Sequence, residues 1–226
     1  MKTSLKDLAY NYISNAIMSC ELKPGQLVVE QEVSNRLNIS RTPVREAFKQ
    51  LEQGGFLVHV PSRGTFVVDI TPQDVEEIFQ LRELFELTAL KTAIVEITDE
   101  ELDALEKYLH ILDENRTNES AIREYYYESD RELHYLIMKY SWNSRMISIH
   151  KNLEAQVEQL RRISSLTPLR LSKSKREHLA LLSALRSRNL ENATHMLSLH
   201  LNNVKQSTLN VCKNMRLEVT KNLSLR

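Results

Sequence analysis

The sequence predicts a mainly α protein in two parts: a small N-terminal winged helix-turn-helix, then a larger bundle that is all helix. Three observations carry that prediction. All four glycines (Gly25, Gly54, Gly55, Gly64) and four of the five prolines lie within the first 72 residues, so tight turns are concentrated there. Beyond them, apolar residues recur at helical spacing over long stretches separated by polar loops. Two short runs rich in β-branched and aromatic residues lie between Phe56 and Val68 and read as strands. The composition changes at Asp69-Ile70-Thr71-Pro72, which divides residues 1–70 from 71–226. Thr71 is the expected N-cap of the next helix, with Pro72 at its first position.

In the first part, Leu5, Leu8, Ala9, Tyr12, Ile13, Ala16 and Ile17 make one helical stripe, which stops before the turn Lys23-Pro24-Gly25. A short helix over 30–37 carries Val33 and Leu37. Asn38-Ile39-Ser40 follows, a connection of helix-turn-helix length. The third helix opens near Ser40 to Thr42, with Pro43 in its first turn where a missing N–H is tolerated. Val44, Ala47, Phe48 and Leu51 form its inward stripe. Arg41, Thr42, Arg45 and Lys49 are thereby left pointing elsewhere. Gly54-Gly55 ends the helix. Phe56–Val60 and Thr65–Val68 then flank Pro61-Ser62-Arg63-Gly64 as a hairpin, the wing.

The chain has 226 residues and a formal net charge of zero, with 30 basic and 30 acidic side chains. No apolar run approaches the ~20 residues of a membrane span. The start, MKTSLKDLAYNY, has no apolar core of a signal peptide, and two distant cysteines, Cys20 and Cys212, suit a reducing compartment. A cytoplasmic location is expected. Neutrality does not exclude a nucleic-acid partner, because residues 36–49 alone hold four basic side chains and one acid. In a winged helix the N-terminal end of the third helix faces the major groove, where Arg and Thr reach base edges or phosphates. Arg63 at the wing tip is placed to meet a neighbouring backbone or minor groove. A winged helix used only for protein contacts is the alternative.

These residues also resemble a known family. Leu22-Lys23-Pro24-Gly25-Gln26-Leu27, Ile39-Ser40-Arg41-Thr42-Pro43-Val44-Arg45-Glu46-Ala47-Phe48, Leu51-Glu52-Gln53-Gly54-Gly55-Phe56-Leu57 and Arg63-Gly64-Thr65-Phe66-Val67 are similar to the GntR superfamily of bacterial transcription regulators. The resemblance implies that Ser40, Arg41, Thr42 and Arg45 contact operator DNA and that Gly64 approaches it. Cys20 stands where the family often has glycine before the Pro-Gly turn.

Six helices follow in the second part, over 72–96, 98–115, 119–140, 143–165, 170–187 and 190–219. Thr98-Asp99-Glu100-Glu101 opens the second with acids in its first turn, which suits the helix dipole. Residues 73–132 carry a net charge of −12 and residues 133–226 a net of +11. Four polar residues break the apolar stripes. Asp130 and His134, at i and i+4, share a face with Tyr126, Leu133 and Ile137. His178 lies with Leu181, Leu182 and Leu185, and His200 with Ala193, Leu197 and Val204. An antiparallel turn at Arg188-Asn189 puts His178 and His200 at nearly the same height. His59, His110, His150 and His195 have no matching partner. Asp130, His134, His178 and His200 therefore make an N₃O set that suits a divalent ion of the Zn, Ni or Mn class. Read one by one, each histidine is an ordinary core or surface residue, and that alternative stays open.

Asp130-Arg131-Glu132-Leu133-His134, Trp142-Asn143, the run Glu177-His178-Leu179-Ala180-Leu181-Leu182-Ser183-Ala184-Leu185, and Ala193 through His200-Leu201 resemble the FCD domain of the FadR subfamily within GntR. Six helices are similar to its VanR-type branch. Leu133 and Arg188-Asn189 depart from the usual Phe and Gly-Asp. The resemblance implies a metal held by the same four residues and a small organic or sugar acid bound beside it. Arg82 matches a position that can face the cavity; a surface ion pair with Glu86 at i+4 is its alternative. A homodimeric repressor reading a palindromic double-stranded operator is implied, with no membrane partner. Two other readings use the same histidines: a metal-dependent hydrolase, which needs a general base that the sequence does not single out, and a metal-free metabolite sensor.

Overall fold

The computed structural model describes residues 4–18, 21–114, 119–165 and 168–224. Its elements in chain order are α1 (Leu5–Met18), β1 (Leu27–Val28), α2 (Glu30–Leu37), α3 (Arg41–Gln53), β2 (Leu57–Val60) and β3 (Gly64–Val67). Then come α4 (Pro72–Glu96), α5 (Asp99–Glu114), α6 (Glu119–Lys139), α7 (Ser144–Ser165), α8 (Pro168–Arg186) and α9 (Leu190–Ser224). Two compact units result. One is Met1–Thr71 with Glu154–Gln159, the other Pro72–Leu153 with Leu160–Arg226. Cys20 lies outside the described residues, and Cys212 is buried.

In the first unit, α1 opens on a reciprocal cap. The Asp7 amide donates to Ser4 Oγ at 3.1 Å and the Ser4 hydroxyl donates back to Asp7 at 2.6 Å. Asn38 ends α2 in the left-handed region, φ 53°, returning its amide to the Ser34 and Asn35 carbonyls. The expected stripe of α3 is buried: Val44, Ala47, Phe48 and Leu51 pack into one core with Ala9, Ile13 and Ile17 of α1.

The expected hairpin forms, with Leu57 opposite Val67 and Val60 opposite Gly64. It belongs to a three-stranded sheet of order β1-β3-β2, and β1 was not anticipated. Two residues are too few to show alternation in sequence. Backbone bonds define this strand: Gly25 N–H to the Val67 carbonyl at 3.0 Å, and Val67 N–H to the Gln26 carbonyl at 2.9 Å. The added strand also explains Gly64. Its φ is 112°, a conformation that favours glycine, and a Cβ there would stand 2.7 Å from Leu27 Cδ1, so the leucine side chain would have to swing aside.

In the second unit the helix starts are set by side chains. Thr98 and Glu101 form a capping box on α5, with amide bonds of 3.0 and 3.3 Å. Asn143 caps α7 and Asn189 caps α9, each accepting an amide at 3.0 Å. Arg188 occupies a left-handed position, φ 53°, where a glycine would sit without strain. Its guanidinium offsets that cost by donating to the carbonyls of Ile94 (2.8 Å) and Ile97 (2.7 Å) at the end of α4. The last helix runs past the expected residue 219 to Ser224. Helix α4 packs on α6 and α9, and α8 packs on α5, α6 and α9. Between α4, α6, α8 and α9 lies the polar cluster. No helix among the described residues is long and apolar enough to cross a membrane.

Candidate functional site

Ser40 is the N-cap of α3 in extended conformation, and its side chain makes no bond to the helix amides. Arg41, Thr42, Arg45 and Lys49 are exposed on the face opposite the core stripe. A residue that the sequence did not single out organises this face. Glu30, the first residue of α2, accepts from Arg45 Nε at 2.8 Å and from Arg41 Nη2 at 3.1 Å on one oxygen. Burial is the largest single influence and raises the Glu30 carboxyl, but the hydrogen bonds and charges of the two guanidinium groups together outweigh it and hold it below its ordinary range. The arginines are 52% and 59% exposed, so the pairs are surface pairs, each worth about 0–1 kcal/mol. Arg63 is exposed in the wing turn, with its guanidinium 5.8 Å from the Phe66 ring centre.

In the helical unit the four polar residues expected to converge do so. Asp130 Oδ1 lies 3.2 Å from His178 Nε2, 3.3 Å from His200 Nε2 and 3.6 Å from His134 Nε2. His134 Nε2 and His200 Nε2 are 3.2 Å apart. One ligand atom from each of the four residues falls within 4.8 Å of the others, and all four residues are buried. The equal-height argument for the α8–α9 hairpin holds: the His178 and His200 rings are 4.7 Å apart, centre to centre.

A buried carboxylate needs compensation. Asp130 obtains it from Arg161 of α7, whose Nε donates to Oδ2 at 2.5 Å. Burial would raise the Asp130 carboxyl; His134 and Arg161 outweigh that and hold it well below the carboxylate range. Two further acids stand behind the histidines. Glu86 Oε2 bonds His134 Nδ1, and its other oxygen accepts from Arg82 Nε at 2.9 Å. Glu177 Oε2 bonds His200 Nδ1 at 2.8 Å, while Oε1 accepts from Arg170 Nη1 at 2.8 Å and from Asn203 at 2.9 Å. Burial pushes Glu177 up, but Arg170 and His200 bring it down to about 2. The same desolvation depresses His178 to about 4, only partly opposed by Asp130.

Arg82 does pair with Glu86, as one of its two sequence readings had it, but the pair is not on the surface. Arg82 is 1% exposed and Glu86 0%. A small hollow of about 20 Å³ adjoins Asp130, lined among others by Tyr126, Arg161, Ser164, Arg170 and Ser174, and Arg82 is not part of its lining. Glu86, Arg161, Arg170 and Glu177 were missed as site residues. Arg161 carried a weak signal, lying four residues after Val157 and next to Leu160 on the apolar side of its helix. Arg170 carried another, since it lies two helical turns before Glu177. The hydrolase reading asked for a general base. The acids nearest the histidines, Glu86 and Glu177, are each already bound by an arginine and an imidazole.

Comparison with known proteins agrees with this architecture. The FCD domain family matches residues 77–203, and the family of bacterial regulatory proteins named gntR matches residues 5–67. The chain is 29% identical over 200 residues to the HTH-type transcriptional repressor RspR of Escherichia coli K12, covering 88% of this chain and 86% of RspR. Among solved structures, E. coli McbR/YncC is similar with a TM-score of 0.70 at 21% identity, over 95% of this chain and 100% of that one. A metal-free FCD domain from the regulator TM0439 is similar with a TM-score of 0.57 at 24% identity, over 64% of this chain and 98% of its own. At these identities both structures speak to the fold alone. The chain thus belongs to the GntR family of bacterial transcription regulators, in the group whose second domain is an FCD domain, and is a DNA-binding regulator rather than an enzyme.

Proposed function

We propose that the protein is a repressor that binds a palindromic operator as a homodimer, and that a small organic or sugar acid modulates this binding from a divalent-metal centre. Ser40, Arg41, Thr42, Arg45, Lys49, Arg63 and Gly64 form the DNA-reading set. Asp130, His134, His178 and His200 form the metal centre. The relative RspR, a repressor by name, supports the sign of regulation. Two-fold protein symmetry matches a palindromic site.

One observation carries the metal reading. His134 Nε2 and His200 Nε2 face each other at 3.2 Å while a carboxylate binds Nδ1 of each ring. An ionised carboxylate only accepts, so each Nδ1 keeps its proton, and in the neutral ring each Nε2 presents a lone pair. Two lone pairs that close need positive charge between them. Asp130 and His178 approach the same point; a proton on one Nε2 would serve that histidine pair, whereas a cation would serve all four groups at once. Four ligands about 2.0–2.1 Å from a tetrahedral ion stand about 3.3–3.4 Å apart; the spacings from Asp130 Oδ1 to the three Nε2 atoms are 3.2–3.6 Å.

A bound ion of the Zn, Ni or Mn class would supply a Lewis-acid site, and with four protein ligands it would take a carboxylate oxygen by expanding to five or six ligands. Beside Asp130, the hollow carrying Arg161, Arg170, Ser164 and Ser174 suits the rest of an acid. Its volume, about 20 Å³, holds about one water, so an organic acid must part the surrounding helices. An acid that binds only the parted arrangement shifts the population toward it. Arg82 enters through Glu86 instead of through the hollow.

The test uses full-length protein, stripped of metal and reloaded with Zn²⁺, on DNA from upstream of its own gene. Fluorescence anisotropy is followed while hydroxy, sugar and dicarboxylic acids are added. One acid is expected to lower operator affinity by at least ~5-fold in the loaded form only. An equal effect in both forms would favour the metal-free sensor. No effect from any acid would remove the effector from the proposal.

A further inference from the structure

We propose that Glu86 and Glu177 are the positioning residues of this metal centre, each fixing the tautomer and direction of one histidine, and that His178 is the ligand left without such a partner. The proposal rests on the metal reading above and extends it to residues that touch no metal.

The two acids are built alike although they come from different helices. Each bonds an imidazole Nδ1 and a buried arginine: Arg82 holds the other oxygen of Glu86 behind His134, and Arg170 grips both oxygens of Glu177 behind His200. With both oxygens engaged, neither carboxylate can rotate away from its histidine. An acceptor fixed at Nδ1 directs the Nε2 edge of each ring toward the point where the four residues converge.

Chain position does not foretell which histidine each acid serves. Glu177 precedes His178 directly, but consecutive helical residues point about 100° apart. Glu177 therefore reaches across to His200 and Asn203 of α9. His178 points its Nε2 at Asp130, and its Nδ1 has no hydrogen-bond partner among the described residues in a fully buried ring. Two ligands are thus held from behind and one is held by Asp130 and packing alone.

The measurement is Zn²⁺ affinity of the full-length, metal-stripped protein, by competition with a chromophoric chelator, together with the visible spectrum of the Co²⁺-loaded form. The variants are Glu177→Gln, Glu86→Gln and the double change Arg82→Met with Glu86→Gln, which leaves no unpaired buried charge. Asp103→Asn, an exposed acid paired with Arg186, is the control. Glu177→Gln and the double variant are each expected to lose ~10–100-fold in Zn²⁺ affinity. Their Co²⁺ bands should shift while far-ultraviolet circular dichroism and the control stay as in the parent. Parent affinity in both would overturn the proposal. So would weaker binding with an unshifted Co²⁺ spectrum, which marks general loosening. A parent protein that takes up no Zn²⁺ at all is a different outcome: it removes the metal reading and this proposal with it.

Discussion

The two units use arginine in opposite ways. On α3, Arg41 and Arg45 are more than half exposed and share a single oxygen of Glu30. In the helical unit Arg82, Arg161 and Arg170 are buried, and each has a carboxylate: Glu86, Asp130 and Glu177. An exposed pair gains little and gives up little, so its guanidinium can exchange an internal acid for a phosphate or a guanine edge. A buried pair has no such freedom, since losing one partner strands a charge away from water. The first arrangement suits a surface that must change partners on meeting DNA. The second suits a frame that must keep ligand atoms where they are.

The strongest blow to that contrast is Asp130→Ala. It strands Arg161 and removes the carboxylate that three histidines surround, so a loss of about 3–5 kcal/mol is expected in urea unfolding of the metal-free protein. A loss under about 1 kcal/mol would mean that Arg161 finds water, and the distinction between the units would fail. Metal comes next. Zn²⁺ at 100 times its Kd should raise the unfolding free energy by about 2.7 kcal/mol. Thermal melts should show no such gain in the double variant His178→Ala with His200→Ala.

On the DNA side the effects separate binding from folding. Arg45→Ala should cost about 1–3 kcal/mol of operator affinity at matched salt and relax base preference. Its unfolding midpoint should hardly move, because surface changes usually stay within about 0.5 kcal/mol. Retained sequence-specific affinity would show that Arg45 is not a reader. The smallest effect belongs to Glu30→Gln. Stability should change by less than about 1 kcal/mol, while binding to an unrelated duplex tightens at low salt as the arginines lose their internal acid. Unchanged non-specific binding would mean that Glu30 does not restrain them.

Much of this was legible in the sequence for reasons that are local. The inward stripe of α3, Val44, Ala47, Phe48 and Leu51, the opening of α5 at Thr98 and the turn at Asn189 are set by spacing and by side chains a few residues apart. The convergence of Asp130, His134, His178 and His200 needed only helical rise and a hairpin turn. What escaped was pairing at a distance. Glu86 meets His134 across 48 residues, Arg161 meets Asp130 across 31, and Glu30 meets Arg45 across 15. No period or spacing within one helix encodes such contacts. Arg82 illustrates the limit: its i+4 partner was visible, but whether the pair faces water depends on what packs over it. Strand β1 escaped for another reason: two residues show no alternation, and its pairing is with β3, some forty residues on.

Glu177 has one more mechanical consequence. Its two oxygens grip His200 and Asn203, which lie about 4.5 Å apart along α9. A carboxylate spanning that interval works as a pawl between the two helices: shifting α9 lengthwise by a turn would release both bonds at once and leave Arg170 and Glu177 to themselves. Tilting or spreading α8 from α9 can lengthen the grip gradually. Leaning apart therefore costs these two bonds less at the outset than a slide along the helix axis does.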